Sequence, residues 1–195
     1  MMRYSDDSAI DAVYALIAQL SEPDDPEQAR PDEAMLISAA LIKLGEDRSW
    51  ASVWWAYGAL HHELSDEALE RALDLLARVD RSDDARAAAL MLQAAIKVAQ
   101  AAYAESDPPA GEQRALLERA ASLAPTWPSL QLRLARASKA TGDELAARDH
   151  AAQAVTLLRS GERTSDPFDS AITGRNLDTT FVERELEALQ IADSI

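Results

Sequence analysis

Apolar residues recur every three or four positions along most of the chain, which is the spacing of amphipathic α-helices. The alternation of apolar and polar residues that marks half-buried strands is absent, and Gly and Pro cluster at a few breaks. The pattern therefore predicts an all-α protein. The first helix is expected at about residues 6–20, where one face carries Ile10, Val13, Tyr14, Ile17 and Leu20.

Capping and breaking residues mark the next three helices. Pro31 fits the first turn of helix 2, where its missing N–H costs nothing, and Gly45 is expected to end that helix. Ser49 is predicted to cap helix 3, and Ser65 to cap helix 4, because a serine hydroxyl can accept a hydrogen bond from a free N–H of the first turn.

Four further helices follow the same logic. Helix 5 is predicted from Ser82 or Asp83 to about Tyr103, and helix 6 from about Glu112 to Leu123, before Pro125. Helices 7 and 8 occupy residues 128–161 and are joined by a Gly-Asp turn.

The chain is expected to end in a linker and one more helix. Residues 162–179 contain Pro167 and Gly174 and are predicted to be the linker. Residues 180–193 open with Thr180 and Glu183, a capping-box pattern, and are predicted to be a helix. Its apolar stripe suits it to cap a helical stack, and the alternative is that it occupies a groove as an autoinhibitory segment.

Small residues fall at regular intervals in residues 128–161. Counted from Pro128, Ala135 is at position 8, Ala147 at position 20 and Ala154 at position 27. This stretch resembles the tetratricopeptide repeat, a 34-residue helix-turn-helix unit of α-solenoids. Residues 51–84 resemble it too, with Trp54, Tyr57 and Gly58 at positions 4, 7 and 8.

The resemblance implies a right-handed α-solenoid of stacked antiparallel helix hairpins across residues 1–161, with a C-terminal capping helix. Helices would pair as 1–2, 3–4, 5–6 and 7–8. A competing register pairs helix 2 with helix 3 and places Gly45 in the turn between them. A single hairpin cannot bury its own apolar face, so each hairpin must stack on its neighbours.

The resemblance also implies that the first helix of each pair lines a concave face. In the last repeat the positions that would point into it are Ser129, Leu132, Arg133, Arg136 and Lys139. The cations resemble the carboxylate-binding positions of chaperone-binding members, although Leu132 and Arg136 stand where that clamp has Lys and Asn. They would hold an acidic or C-terminal peptide segment through guanidinium–carboxylate contacts. The alternative is that they pair with acidic groups of this same chain.

In the unit at residues 51–84 the same positions include Trp55, Ala59 and His62. Trp55 and His62 would lie near each other in the groove and contact a peptide. The alternative is that Trp54 and Trp55 pack in the core.

Composition narrows the function further. The net charge of −15 argues against non-specific nucleic-acid binding, which needs Lys and Arg to contact phosphates. The absence of Cys excludes disulfides, thiolate metal sites and Cys nucleophiles. No apolar run has the length of a signal-peptide core or a membrane span, so a cytoplasmic location is expected. The preference for Arg over Lys, with abundant Ala and Asp, is typical of a high-GC bacterial genome.

No pattern of catalysis or metal binding emerges. His62 and Asp66 have metal-ligand spacing, but Ser65 is expected to break the helix between them and no third ligand is evident. No phosphate-binding loop, nucleophile elbow or dinucleotide fingerprint occurs.

We therefore expect a protein-interaction module, a scaffold, adaptor or chaperone-like protein, without enzymatic activity or cofactor. It would bind a protein or peptide and be a monomer or weak homodimer. The alternative is a regulatory domain that senses a small ligand or peptide and acts through a separate output protein.

Overall fold

The computed structural model describes residues 8–21, 29–45, 48–63 and 65–160. These ranges contain only helices and connecting turns, so the all-α prediction is confirmed for them. The predicted linker at 162–179 and the predicted helix at 180–193 lie outside the described residues. The elements in chain order are α1 (Ser8–Ser21), α2 (Pro31–Leu44), α3 (Arg48–Gly58), a π-helical turn (Ala59–Glu63), α4 (Asp66–Leu76), α5 (Asp83–Tyr103), α6 (Ala110–Leu123), α7 (Pro128–Ala140) and α8 (Glu144–Ser160).

Most of the predicted helix ends are where the sequence places them. Gly45 ends α2 in the left-handed region, at φ 75°, and its N–H donates to the carbonyl of Leu41. Ser65 caps α4 and Ser82 caps α5, because each hydroxyl accepts a backbone N–H of the first turn, at 3.2 and 3.1 Å.

Two predicted starts differ from the structure. α3 begins at Arg48, so Ser49 lies inside its first turn and the prediction that Ser49 is the cap is wrong. α6 begins at Ala110, two residues before the predicted start at Glu112. The carbonyl of Pro109 accepts the N–H of Gln113 at 2.8 Å, so the first helical hydrogen bond forms directly after the two prolines.

Each helix packs against the next one in the chain, and α3 contacts α1 and α5 as well as its sequence neighbours α2 and α4. This arrangement is consistent with a helical repeat. α3 is the most enclosed element, since every residue from 49 to 60 is buried. α2 packs against α3 more extensively than against α1.

The α2–α3 contact is close because Gly58 lacks a side chain. A Cβ atom built on Gly58 would collide with Cγ of Met35 and lie 2.8 Å from its Sδ. Met35 of α2 therefore occupies the space that a side chain at position 58 would need.

α7 and α8 form an antiparallel hairpin. Contacts join Lys139 to Glu144 next to the turn and Gln131 to His150 further along, so the sequence separation grows away from the turn. Gly142 makes the turn at φ 77°. Ala135, which faces α8, is fully buried in a small cluster completed by Leu132, Ala147, Ala151, Ala154 and Val155.

Arg114 of α6 holds the turn of this hairpin in place. Its guanidinium contacts Asp143 at 2.9 Å, Glu118 at 2.8 Å and the hydroxyl of Thr141 at 3.3 Å. Asp143 also accepts the N–H of Ala146 at 3.1 Å and so caps α8. This backbone hydrogen bond and the nearby Arg114 lower the pKa of the Asp143 carboxyl.

A larger hydrophobic cluster runs from Tyr14 and Ile17 on α1 through the aromatic residues of α3 to Trp127 and Leu134 near and on α7. None of the helices in the described ranges combines the length and the apolar character needed to cross a bilayer.

Candidate functional site

α7 presents a cationic face within an otherwise buried helix. Arg133, Arg136 and Lys139 are partly exposed, whereas the four residues between them are buried. Residues three apart on a helix are neighbours on one face, so the three side chains form one surface, here called the α7 cationic face. It is the part of α7 that a partner could reach.

Lys139 already has an acidic partner. Its Nζ donates to Oε1 of Glu144 at 2.7 Å and to Oε2 at 2.9 Å, and its side chain is 32% exposed. The pair bridges the end of α7 to the start of α8. Pairing within the chain was one of the two sequence-based alternatives, and it holds for Lys139.

Arg136 is partly desolvated, and burial lowers the pKa of its guanidinium. Arg133 lies one turn earlier on the same face, close enough that its charge lowers the pKa of His61. A half-buried guanidinium has lost part of its hydration. A carboxylate placed against it can replace the lost water contacts with charge-assisted hydrogen bonds. The pair is suited to an anionic group.

His61 joins this region, although the sequence places it at position 11 of the unit at residues 51–84 and not among the predicted lining residues. Its ring lies 4.4 Å from that of Tyr57, with a 43° angle between the planes. Burial first, then the charges of Arg133 and His62, lower the pKa of His61 to about 4. The imidazole is therefore neutral near pH 7 and adds a hydrogen-bonding edge without adding charge.

Trp55 and His62 were expected to lie together in the groove, but the structure records no ring contact between these two described residues. Trp55 is 6% exposed, and the guanidinium of Arg71 on α4 lies 4.8 Å from its ring centroid, a cation–π contact. His62 is exposed, and Asp32 of α2 acts on it electrostatically. Burial lowers the pKa of His62 and Asp32 partly opposes this effect.

The remaining predicted lining residues are interior. Ser129 and Leu132 are each 1% exposed and Ala59 is fully buried. Leu132 packs in the α7–α8 cluster, and Ala59 belongs to the larger core. The structure thus differs from the expectation that these three positions form an accessible surface, because the helix faces that carry them are covered by neighbouring elements.

Both histidines lie in the π-helical turn Ala59–Glu63. A π turn closes i→i+5 hydrogen bonds and so inserts one residue relative to an α-helix. An α-helical count through residues 59–63 is therefore a poor guide to the direction of these two side chains. His61 and His62 sit inside this turn, and nothing in their sequence marks it as π-helical.

No group of three or more His, Asp or Glu side chains that could hold a metal ion exists within the part of the chain that the structure describes. Comparisons with family models, curated proteins and solved structures find no match for this chain.

Proposed function

We propose that this protein is a tetratricopeptide-like, right-handed helical solenoid that binds a carboxylate-bearing segment of a partner protein at the α7 cationic face. The observation that carries the proposal is the placement of two half-buried guanidinium groups, Arg133 and Arg136, one turn apart on the same face of a helix that is otherwise packed. A bound carboxylate can accept paired hydrogen bonds from such groups.

The surroundings of the pair support a peptide ligand. His61 supplies a neutral polar edge next to Arg133, and the ring of Tyr57 lies beneath it. Aromatic and arginine side chains are the residue types that contribute most to protein interfaces. The described side chains of the site, Arg133, Arg136 and His61, are suited to recognising and positioning an anionic group, so we propose a binding function.

The overall charge limits what the partner can be. A net charge of −15 repels an extended acidic partner at distances shorter than about 8 Å, the screening length at physiological salt. A single carboxylate, as at a free C-terminus, suffers least from this repulsion while it gains the full local contact. We therefore propose a C-terminal or sparsely acidic segment as the ligand.

The test is charge reversal at the face. Wild-type protein and the double variant Arg133→Glu, Arg136→Glu are compared for capture of partners from cell extract and for binding to peptides with a free or an amidated C-terminus. We expect the double variant to lose capture and the free-carboxylate preference to disappear. Arg148→Glu, on the exposed side of α8, is the matched control.

Circular dichroism of all three proteins shows whether the helical fold is kept. Undiminished capture by a folded Arg133→Glu, Arg136→Glu variant, or equal binding of amidated and free peptides, would contradict the proposal.

A further inference from the structure

A cleft of about 460 Å³ lies next to the connection between α2 and α3. The end of α2, the start of α3 and the segment after α4 line it. This volume is within the range of sites for small molecules. Its walls carry two cations, one acid, two buried serines and two aliphatic side chains: Arg78, Arg81, Asp80, Ser49, Ser52, Ile42 and Leu75.

The two arginines at this cleft, Arg78 and Arg81, differ from several other arginines of the described residues in their ion pairing. Arg30, Arg86 and Arg114 each form an ion pair with a nearby acidic side chain. Arg78 and Arg81 form none within the ranges that the structure describes, and both are exposed. Two guanidinium groups therefore line one cleft in a protein of net charge −15, together with the single carboxylate of Asp80.

Ser52 adds a polar side chain to the same wall. The residue is only 4% exposed, and it lines the cleft. A serine hydroxyl at the wall of a cleft can donate a hydrogen bond to a bound oxyanion.

The start of α3 borders the same cleft. The first N–H groups of a helix have no acceptor within the helix, and the positive end of the helix dipole favours an anion there. Ser49 and Ser52, both in the first turns of α3, line the cleft. The start of α3 and two guanidinium groups therefore border the same cleft.

We infer that this cleft binds a small organic anion, an oxyanion headgroup on a short apolar body. The headgroup is held by Arg78, Arg81 and the Ser52 hydroxyl. Ile42 and Leu75 supply the apolar contact. The carboxylate of Asp80 on the same wall repels a second anionic group, which selects ligands with one headgroup. This site uses no residue of the α7 cationic face and does not depend on the function proposed there.

The experiment titrates the full-length protein with hexanoate, butyl phosphate, acetate and inorganic phosphate, followed by backbone amide NMR. We expect saturable shifts at Gly45, Ser52 and Leu75 for hexanoate and butyl phosphate, with a Kd on the order of 1 mM, and binding at least several-fold weaker for acetate and inorganic phosphate. Comparison of hexanoate with butyl phosphate shows which oxyanion the cleft prefers.

Variants assign the binding to the named groups. The double variant Arg78→Gln, Arg81→Gln should weaken hexanoate and butyl phosphate about tenfold or more, and Ser52→Ala should weaken them about two- to fivefold, since it removes one hydrogen bond. Arg148→Gln is the matched control and should leave the affinity unchanged.

Three results would overturn the inference. They are shifts that fail to saturate for every ligand, affinity unchanged in the folded Arg78→Gln, Arg81→Gln protein, and acetate binding as tightly as hexanoate. Charge reversal at Arg133 and Arg136 should leave the titration unaltered, so failure here and failure of the proposed partner site are separately visible.

Discussion

The α7–α8 hairpin and the α2–α3 contact both depend on small residues, but they use them in opposite ways. In the hairpin, Ala135 on one helix meets Ala147 and Ala154 on the other within one fully buried cluster. In the α2–α3 contact, Gly58 makes room for the long side chain of Met35. The first contact brings two backbones together, whereas the second receives a side chain from the neighbouring helix.

This difference shows that a small residue at a helix–helix contact does not by itself define what fills the space. Ala135 is the eighth residue counted from Pro128, and Gly58 is the eighth residue counted from Ala51. The partner surface decides the outcome: α8 presents alanines, while α2 presents Met35 and α3 is rich in aromatics. The two contacts should therefore respond differently to substitution.

The largest effect is expected from overpacking the hairpin. Ala147→Leu and Ala154→Leu each add three heavy atoms at fully buried positions between two closely spaced backbones, which should lower the free energy of unfolding by about 1–3 kcal/mol. Urea denaturation measures the change through the transition midpoint and its slope.

The control is Ala102→Leu on α5, where the alanine is exposed and the same substitution should change stability by less than about 0.5 kcal/mol. Equal stability of all three variants and wild type would mean that the hairpin does not need its alanines.

A smaller change in stability is expected at Gly58, but its sign should depend on the residue at position 35. Gly58→Ala should destabilise by about 1 kcal/mol, because the new Cβ meets Met35 and the cost of this clash exceeds the gain from replacing a helical glycine. In the Met35→Ala background the clash is gone, so Gly58→Ala should become stabilising by about 0.5–1 kcal/mol.

A double-mutant cycle by urea denaturation measures this change of sign. If Gly58→Ala has the same effect with Met35 and with Ala at position 35, the two residues do not couple and the described contact does not limit the approach of α2 to α3.

The sequence predicts local features of this fold well where one residue has one structural role. Gly45 ends α2, and Ser65 and Ser82 cap α4 and α5, because turn geometry and capping depend on the nearest few residues. The alanines of the hairpin were also predicted to be buried, since their spacing is helical and their size permits close packing.

Features that depend on distant elements were not predicted. The buried state of Ala59 and Leu132 depends on which neighbours cover them. The start of α3 is a local exception, since the helix begins at Arg48 and places Ser49 inside its first turn. The pair between Lys139 and Glu144 crosses the turn, and a helical-face argument limited to α7 cannot find it. Of the candidate site, the cations of α7 were predicted from sequence, but His61 and its link to Arg133 were not.

The smallest expected effect is a pH dependence of the free energy of unfolding that arises from His61, in the turn that follows α3. Its pKa is about 4 in the folded protein and about 6.5 when unfolded, so between these values the unfolded state binds more protons. Stability should therefore fall as pH drops from about 6.5 to about 4. His61 retains exposed surface, and solvent screening limits the loss to about 1 kcal/mol or less.

His61→Gln removes this contribution, so between pH 7 and pH 5 the variant should lose less unfolding free energy than wild type. His62 and His150 also have lowered pKa values, but they titrate in both proteins and cancel in the comparison. An NMR titration gives the direct measurement, with a midpoint for the His61 ring near 4. A midpoint at or above 6.5 would show that the ring is not desolvated against Tyr57 and that Arg133 does not act on it.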